Sequence, residues 1–145
     1  MLRLRRRRAA GSAGHRGQSL VEFALVLPVF VLLLSGMIDF GMGLYSYMTI
    51  INAARDGARL GATACSAGPC TGAVSARVAA AAGGLAPTVT VACINAAGTS
   101  VNCATGPTDS HGSVTVTAAY TYRMLWPLMA GTQLPMSSSI VFMVE

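Results

Sequence analysis

The sequence predicts an α+β fold. A long N-terminal transmembrane and stalk helix, kinked near Pro28, would carry a short helix and a small antiparallel sheet of 3–4 strands on its C-terminal half. Three observations point there. An apolar run of membrane length follows an arginine cluster. A helical pattern continues beyond that run. Stretches that alternate valine with threonine then occupy the C-terminal part.

The 145 residues suffice for one small domain plus appendages. Residues 1–17 read as a basic leader, because Arg3, Arg5, Arg6, Arg7, Arg8 and Arg16 hold six of the ten basic charges. The rest of the chain has four arginines against five carboxylates, a net charge of −1. A basic arm suits nucleic acid, but no basic or aromatic surface follows this one, and it abuts an apolar run. It reads as a topology signal: the arginines stay cytoplasmic and the chain beyond the helix is exported.

Residues 18–62 read as one helix, of which 20–38 would cross a membrane. Fifteen of those nineteen residues are apolar, the exceptions being Glu22, Pro28, Ser35 and Gly36. At ~1.5 Å per residue, residues 18–38 cover about 31 Å, the hydrocarbon thickness. A cleaved signal peptide would be shorter and end at small residues, and Ser35-Gly36-Met37-Ile38-Asp39 is a poor site. Pro28 lacks an N–H and should kink the helix, while Gly36, Gly41 and Gly43 weaken it. Met37, Phe40, Leu44, Met48, Ile51, Ala54 and Ala58 form a stripe, running on into the second half of the helix, on which the exported domain should sit. Asp56 and Arg59, one turn apart, should pair.

Residues 63–145 read as a small extracytoplasmic α+β domain. All four cysteines fall in it: Cys65, Cys70, Cys93 and Cys103. An even number in an exported domain suggests two disulfides, with three possible pairings. Neighbour pairing is the simplest. A zinc site is the alternative, but no Cys-x-x-Cys pair or nearby histidine supports it, so no metal and no cofactor is expected.

Ala73 to Ala82 reads as a short helix ended by Gly83-Gly84. Thr88 to Cys93 and Val101 to Cys103 read as strands around an Asn95–Gly98 turn. Val114 to Tyr122 alternates most clearly. Ser139 to Val144 is the last strand, and its unbroken Ile140-Val141-Phe142-Met143 suggests a central position. The stretch from Met124 to Met129, with Leu134-Pro135-Met136, is too apolar for an ordinary loop. It should fold over the sheet edge or helix. Alternatively Trp126, Leu128 and Met129 form a partner surface or touch the membrane surface.

Little suggests an enzyme or a small-molecule substrate. Asp109-Ser110-His111 has the residue types of a hydrolase triad, but adjacency in a loop does not give triad geometry. Glu22 is the residue whose placement demands a role. A carboxylate at the mouth of a membrane helix is costly without a partner. If the chain were cut after Gly17, Gln18 would gain an ammonium. Glu22 could pair with that amine in a neighbouring subunit, or within its own chain four residues away.

The segments Arg16-Gly17-Gln18-Ser19-Leu20-Val21-Glu22-Phe23-Ala24-Leu25-Val26-Leu27-Pro28-Val29-Phe30, Ile38-Asp39-Phe40-Gly41 and Asn52-Ala53-Ala54-Arg55-Asp56-Gly57-Ala58-Arg59 resemble those of TadE-like proteins. These are pseudopilins or minor pilins of the bacterial tight-adherence (Flp pilus) system. The resemblance implies cutting between Gly17 and Gln18 by a prepilin peptidase. It implies a subunit register set at Glu22 and Phe23. The implied partners are the peptidase, other pilins and pseudopilins, inner-membrane pilus assembly proteins and the lipid bilayer. The implied location is the bacterial inner membrane, single-pass, with the N-terminus cytoplasmic and the C-terminal domain periplasmic. An unprocessed single-pass anchor of the cell envelope is the alternative. Gln18 departs from the Phe or Met of major type IV pilins but suits the TadE group. The cysteines and the Trp126 region lie outside the motif.

Overall fold

A computed structural model describes residues 15–104, 111–125 and 131–144. The elements in chain order are α1 (His15–Ala67), α2 (Thr71–Ala81), β1 (Thr88–Ile94), β2 (Ser100–Val101), β3 (Ser113–Arg123) and β4 (Gln133–Met143). Packing divides the chain between Met37 and Ile38 into two units.

In the first unit, α1 carries Leu20 to Met37 with every large apolar side chain exposed. Polar groups here are satisfied locally: the Ser35 hydroxyl donates to the Val31 carbonyl at 2.8 Å. Helical structure continues through Pro28, as transmembrane helices tolerate proline when freed backbone groups are satisfied nearby.

In the second unit, the remainder of α1 and all of α2 pack on one face of a four-stranded antiparallel sheet, in the order β2-β1-β3-β4. β3 is central and directs Val114, Val116, Ala118 and Tyr122 inward, while Thr115, Thr117 and Thr121 point outward. That is the period-2 pattern of a sheet covered on one side. α2 buries Val74 and Val78 and gives way to Gly83 and Gly84, both at positive φ.

The face α1 offers to this core is not the stripe expected from the large side chains. Phe40 is 74 % exposed, and Met37, Leu44 and Met48 also face outward. The buried positions are Gly43, Ser46, Ile50, Ala53, Ala54, Gly57, Ala58, Gly61, Ala62 and Cys65. They too recur every three or four residues, but most are small. Small residues let a sheet and a second helix approach α1 closely, which bulkier apolar residues would prevent. Ala54 and Ala58 alone belong to both the expected stripe and this face.

Three further expectations are corrected. β4 is an edge strand, not a central one. Ile140 is half-buried opposite Val116, whereas Val141 and Met143 are exposed. A four-residue apolar run does not distinguish a doubly covered strand from an edge strand. β4 also begins at Gln133, so Leu134-Pro135-Met136 is strand, with Pro135 at the edge, where a missing N–H is tolerated. Finally, Asp56 accepts from Arg77 of α2 at 3.3 Å, bridging two elements instead of one helical turn.

Candidate processing and assembly site

Gly17, Gln18, Glu22 and Phe23 lie in the first turns of α1, all exposed. One helical turn separates residues 18 and 22, and the Gln18 side-chain amide donates to Glu22 Oε1 at 3.3 Å. The carboxylate therefore already reaches toward position 18 along its own helix. A Cβ built on Gly17 meets nothing within 4 Å. Packing within the described residues thus places no demand for glycine there.

The second notable carboxylate is Asp39, which follows directly on the apolar run. The Tyr122 hydroxyl donates to Asp39 Oδ1 at 3.4 Å, and the Leu125 backbone N–H donates to the same oxygen at 3.2 Å. Asp39 thereby fastens the end of β3 to α1. Burial raises the Tyr122 pKa, reinforced by the charge of Asp39, by the hydrogen bond to it and by Tyr120. Tyr122 is 6 % exposed, so its hydroxyl stays protonated as a donor. Sequence reasoning assigned neither residue this role. The available signal was an acid immediately after the apolar run and a tyrosine at an inward strand position.

The cysteines form Cys65–Cys70 and Cys93–Cys103, the neighbour pairing. The first closes the turn between α1 and α2. The second joins β1 to the residues just past β2. The Cys70 N–H donates to the Cys103 carbonyl at 3.0 Å, tying the two bridges together. The sulfurs of Cys65, Cys70 and Cys93 lie within 4.8 Å of one another. Metal ligation requires thiolates, which these residues do not offer while disulfide-bonded.

His111 is exposed, at φ 75°, and its N–H donates to the Val144 carbonyl. Asp109 and Ser110 lie outside the described residues, as do Trp126, Leu128 and Met129 of the expected partner surface.

Residues 17–59 match the family model described as TadE-like protein. No curated protein and no solved structure matches the chain. α1, long and apolar enough to cross a membrane, fits a single-pass membrane protein. The matched segment, covering the helix start, Asp39 and Gly57, is what this chain shares with TadE-like proteins.

Proposed function

We propose that this chain is a structural pseudopilin or minor pilin of a tight-adherence pilus, not an enzyme. It is cut between Gly17 and Gln18 by a prepilin peptidase at the cytoplasmic face of the inner membrane. Its C-terminal domain is periplasmic, and its partners are other pilins and the inner-membrane assembly proteins. The TadE-like match supports association with the pilus system.

The observation that carries the processing step is the Gln18–Glu22 contact at 3.3 Å. Cutting after Gly17 turns the Gln18 nitrogen into an ammonium one helical turn from a carboxylate. In the lone subunit the two charges pair within the chain. In an assembly Glu22 pairs with a neighbour's amine, and a slipped register would leave both charges unpaired in an apolar setting. Among the described residues, a Cβ built on Gly17 would meet nothing within 4 Å, which supports a role for this glycine in recognition by a peptidase and not in packing.

Intact mass of the protein from its native membrane tests this reading. Mass is decisive because an N-terminal glutamine can cyclise and block stepwise sequencing. A chain starting at Gln18 is the expected result. A chain starting at Met1 overturns processing and leaves a basic-tailed membrane anchor.

A further inference from the structure

β3 runs along α1 in a defined sense. A Cβ on Gly61 would lie 3.1 Å from Val114, one on Gly57 would lie 3.6 Å from Val116, and one on Gly43 would lie 3.8 Å from Tyr122. As β3 advances it therefore descends α1 from residue 61 toward residue 43. Its end is fastened lower still, by the two hydrogen bonds to Asp39 Oδ1. Asp39 is covalently next to Ile38, the last residue of the apolar run, about 3.8 Å along the chain. The β3–β4 end of the sheet is thus held where the run stops, by connectivity alone.

This end carries exposed apolar side chains beside Arg123 and Gln133. Leu125 is 75 % exposed and Leu134, opposite Tyr122 on β4, is 45 % exposed. Exposed Arg123, opposite Gln133, ends β3, and Phe40 follows Asp39 on α1. Exposed leucines, an aromatic and an arginine are the residue types that suit the boundary between acyl chains and headgroups. The one carboxylate here among the described residues is Asp39, and its Oδ1 accepts two hydrogen bonds.

We infer that the β3–β4 end of the exported domain rests on the lipid surface. Leu125 and Leu134 enter the headgroup–acyl boundary, and Arg123 meets headgroup phosphates. The contact braces the domain against the membrane. This inference rests on residues 20–38 spanning the bilayer.

The test uses the full chain in nanodiscs of phosphatidylcholine and phosphatidylglycerol. A nitroxide is placed by Leu125→Cys, with Leu32→Cys as the in-span reference and Thr90→Cys, mid-sheet on the outer face, as the aqueous reference. The native cysteines are in disulfides and escape labelling. Relaxation by oxygen, which prefers lipid, is compared with relaxation by an aqueous nickel chelate. The Leu125→Cys label should show an oxygen-to-nickel ratio several-fold above that of Thr90→Cys. A ratio equal to Thr90→Cys, with Leu32→Cys reporting lipid, overturns the inference and leaves the span intact. Protection from both reagents, with dipolar broadening between copies, overturns it in favour of a second copy. An aqueous Leu32→Cys label overturns the span itself and the inference with it.

Discussion

Gly57 of α1 lies directly against Val78 of α2: a Cβ built on Gly57 would overlap Val78 Cγ2. Val78 is fully buried, and Val74 and Val116 close the same space. The glycine thus lets the two helices approach closely here, and it sits within the family-matched segment.

Gly57→Ala should destabilise the protein. Overpacking costs about 1–3 kcal/mol, and the better helix propensity of alanine offsets at most about 1 kcal/mol. Gly61→Ala, where the nearest atom is a Val114 methyl at 3.1 Å, should be close to neutral because the two effects nearly cancel. Thermal unfolding of the full chain in detergent checks both. Equal melting temperatures for Gly57→Ala and wild type would contradict the packing.

The two disulfides make single and double cysteine variants differ. Loss of either bridge should cost about 2–3 kcal/mol for loops this short. Cys65→Ser alone should do worse, because it frees Cys70 beside Cys93. The Cys70 thiolate can attack Cys93 Sγ, forming a Cys70–Cys93 bond and releasing the Cys103 thiolate. Non-reducing peptide mapping should find that bond in Cys65→Ser, while Cys65→Ser with Cys70→Ser keeps Cys93–Cys103.

Tyr122 should make the fold sensitive to alkali. Its folded pKa lies above the unfolded value of 10.0. The unfolded chain therefore releases this proton first. The Tyr122 contribution is fully present below about pH 10 and fades as pH rises through the folded pKa. Tyr122→Phe should flatten the loss of stability above that pH, at a cost of about 1 kcal/mol at neutral pH for the lost hydrogen bond to Asp39. Denaturant unfolding from neutral to alkaline pH checks it.

Glu22 should matter for assembly and not for folding. It is exposed and outside the unit that holds the core. Glu22→Gln keeps an acceptor for Gln18 but loses the charge. It should leave melting of the unit that begins at Ile38 unchanged and abolish incorporation into surface pili. Gly17→Ala should instead block the mass change of processing. Fractionation with immunoblotting separates the two outcomes.

Much of this architecture was legible in the chain. The membrane-length helix declared itself by length and composition. β3 declared itself by the strict alternation from Val114 to Tyr122. The cysteine pairing followed from proximity, since Asn95–Gly98 folds the second pair together, with Gly98 N–H donating to the Asn95 carbonyl at 2.9 Å. The position of β4 was not legible, because Ile140-Val141-Phe142-Met143 reads the same at an edge as at the centre. The buried face of α1 was not legible either, because glycine and alanine carry little hydrophobic signal, and Phe40 and Met48 drew the eye to the exposed side.

The sequence by itself determined the elements: a membrane-length helix opened by Gly17 and Glu22, a short helix and alternating strands. Those are local matters of periodicity, length and turn chemistry. Only the tertiary structure decided that the core grips the small-residue face of α1, that Arg77 takes Asp56, and that Asp39 anchors the end of β3. Each depends on which surfaces approach closely enough to exclude water. That is set by shape complementarity between residues distant in the chain, such as Gly57 with Val78 and Asp39 with Tyr122.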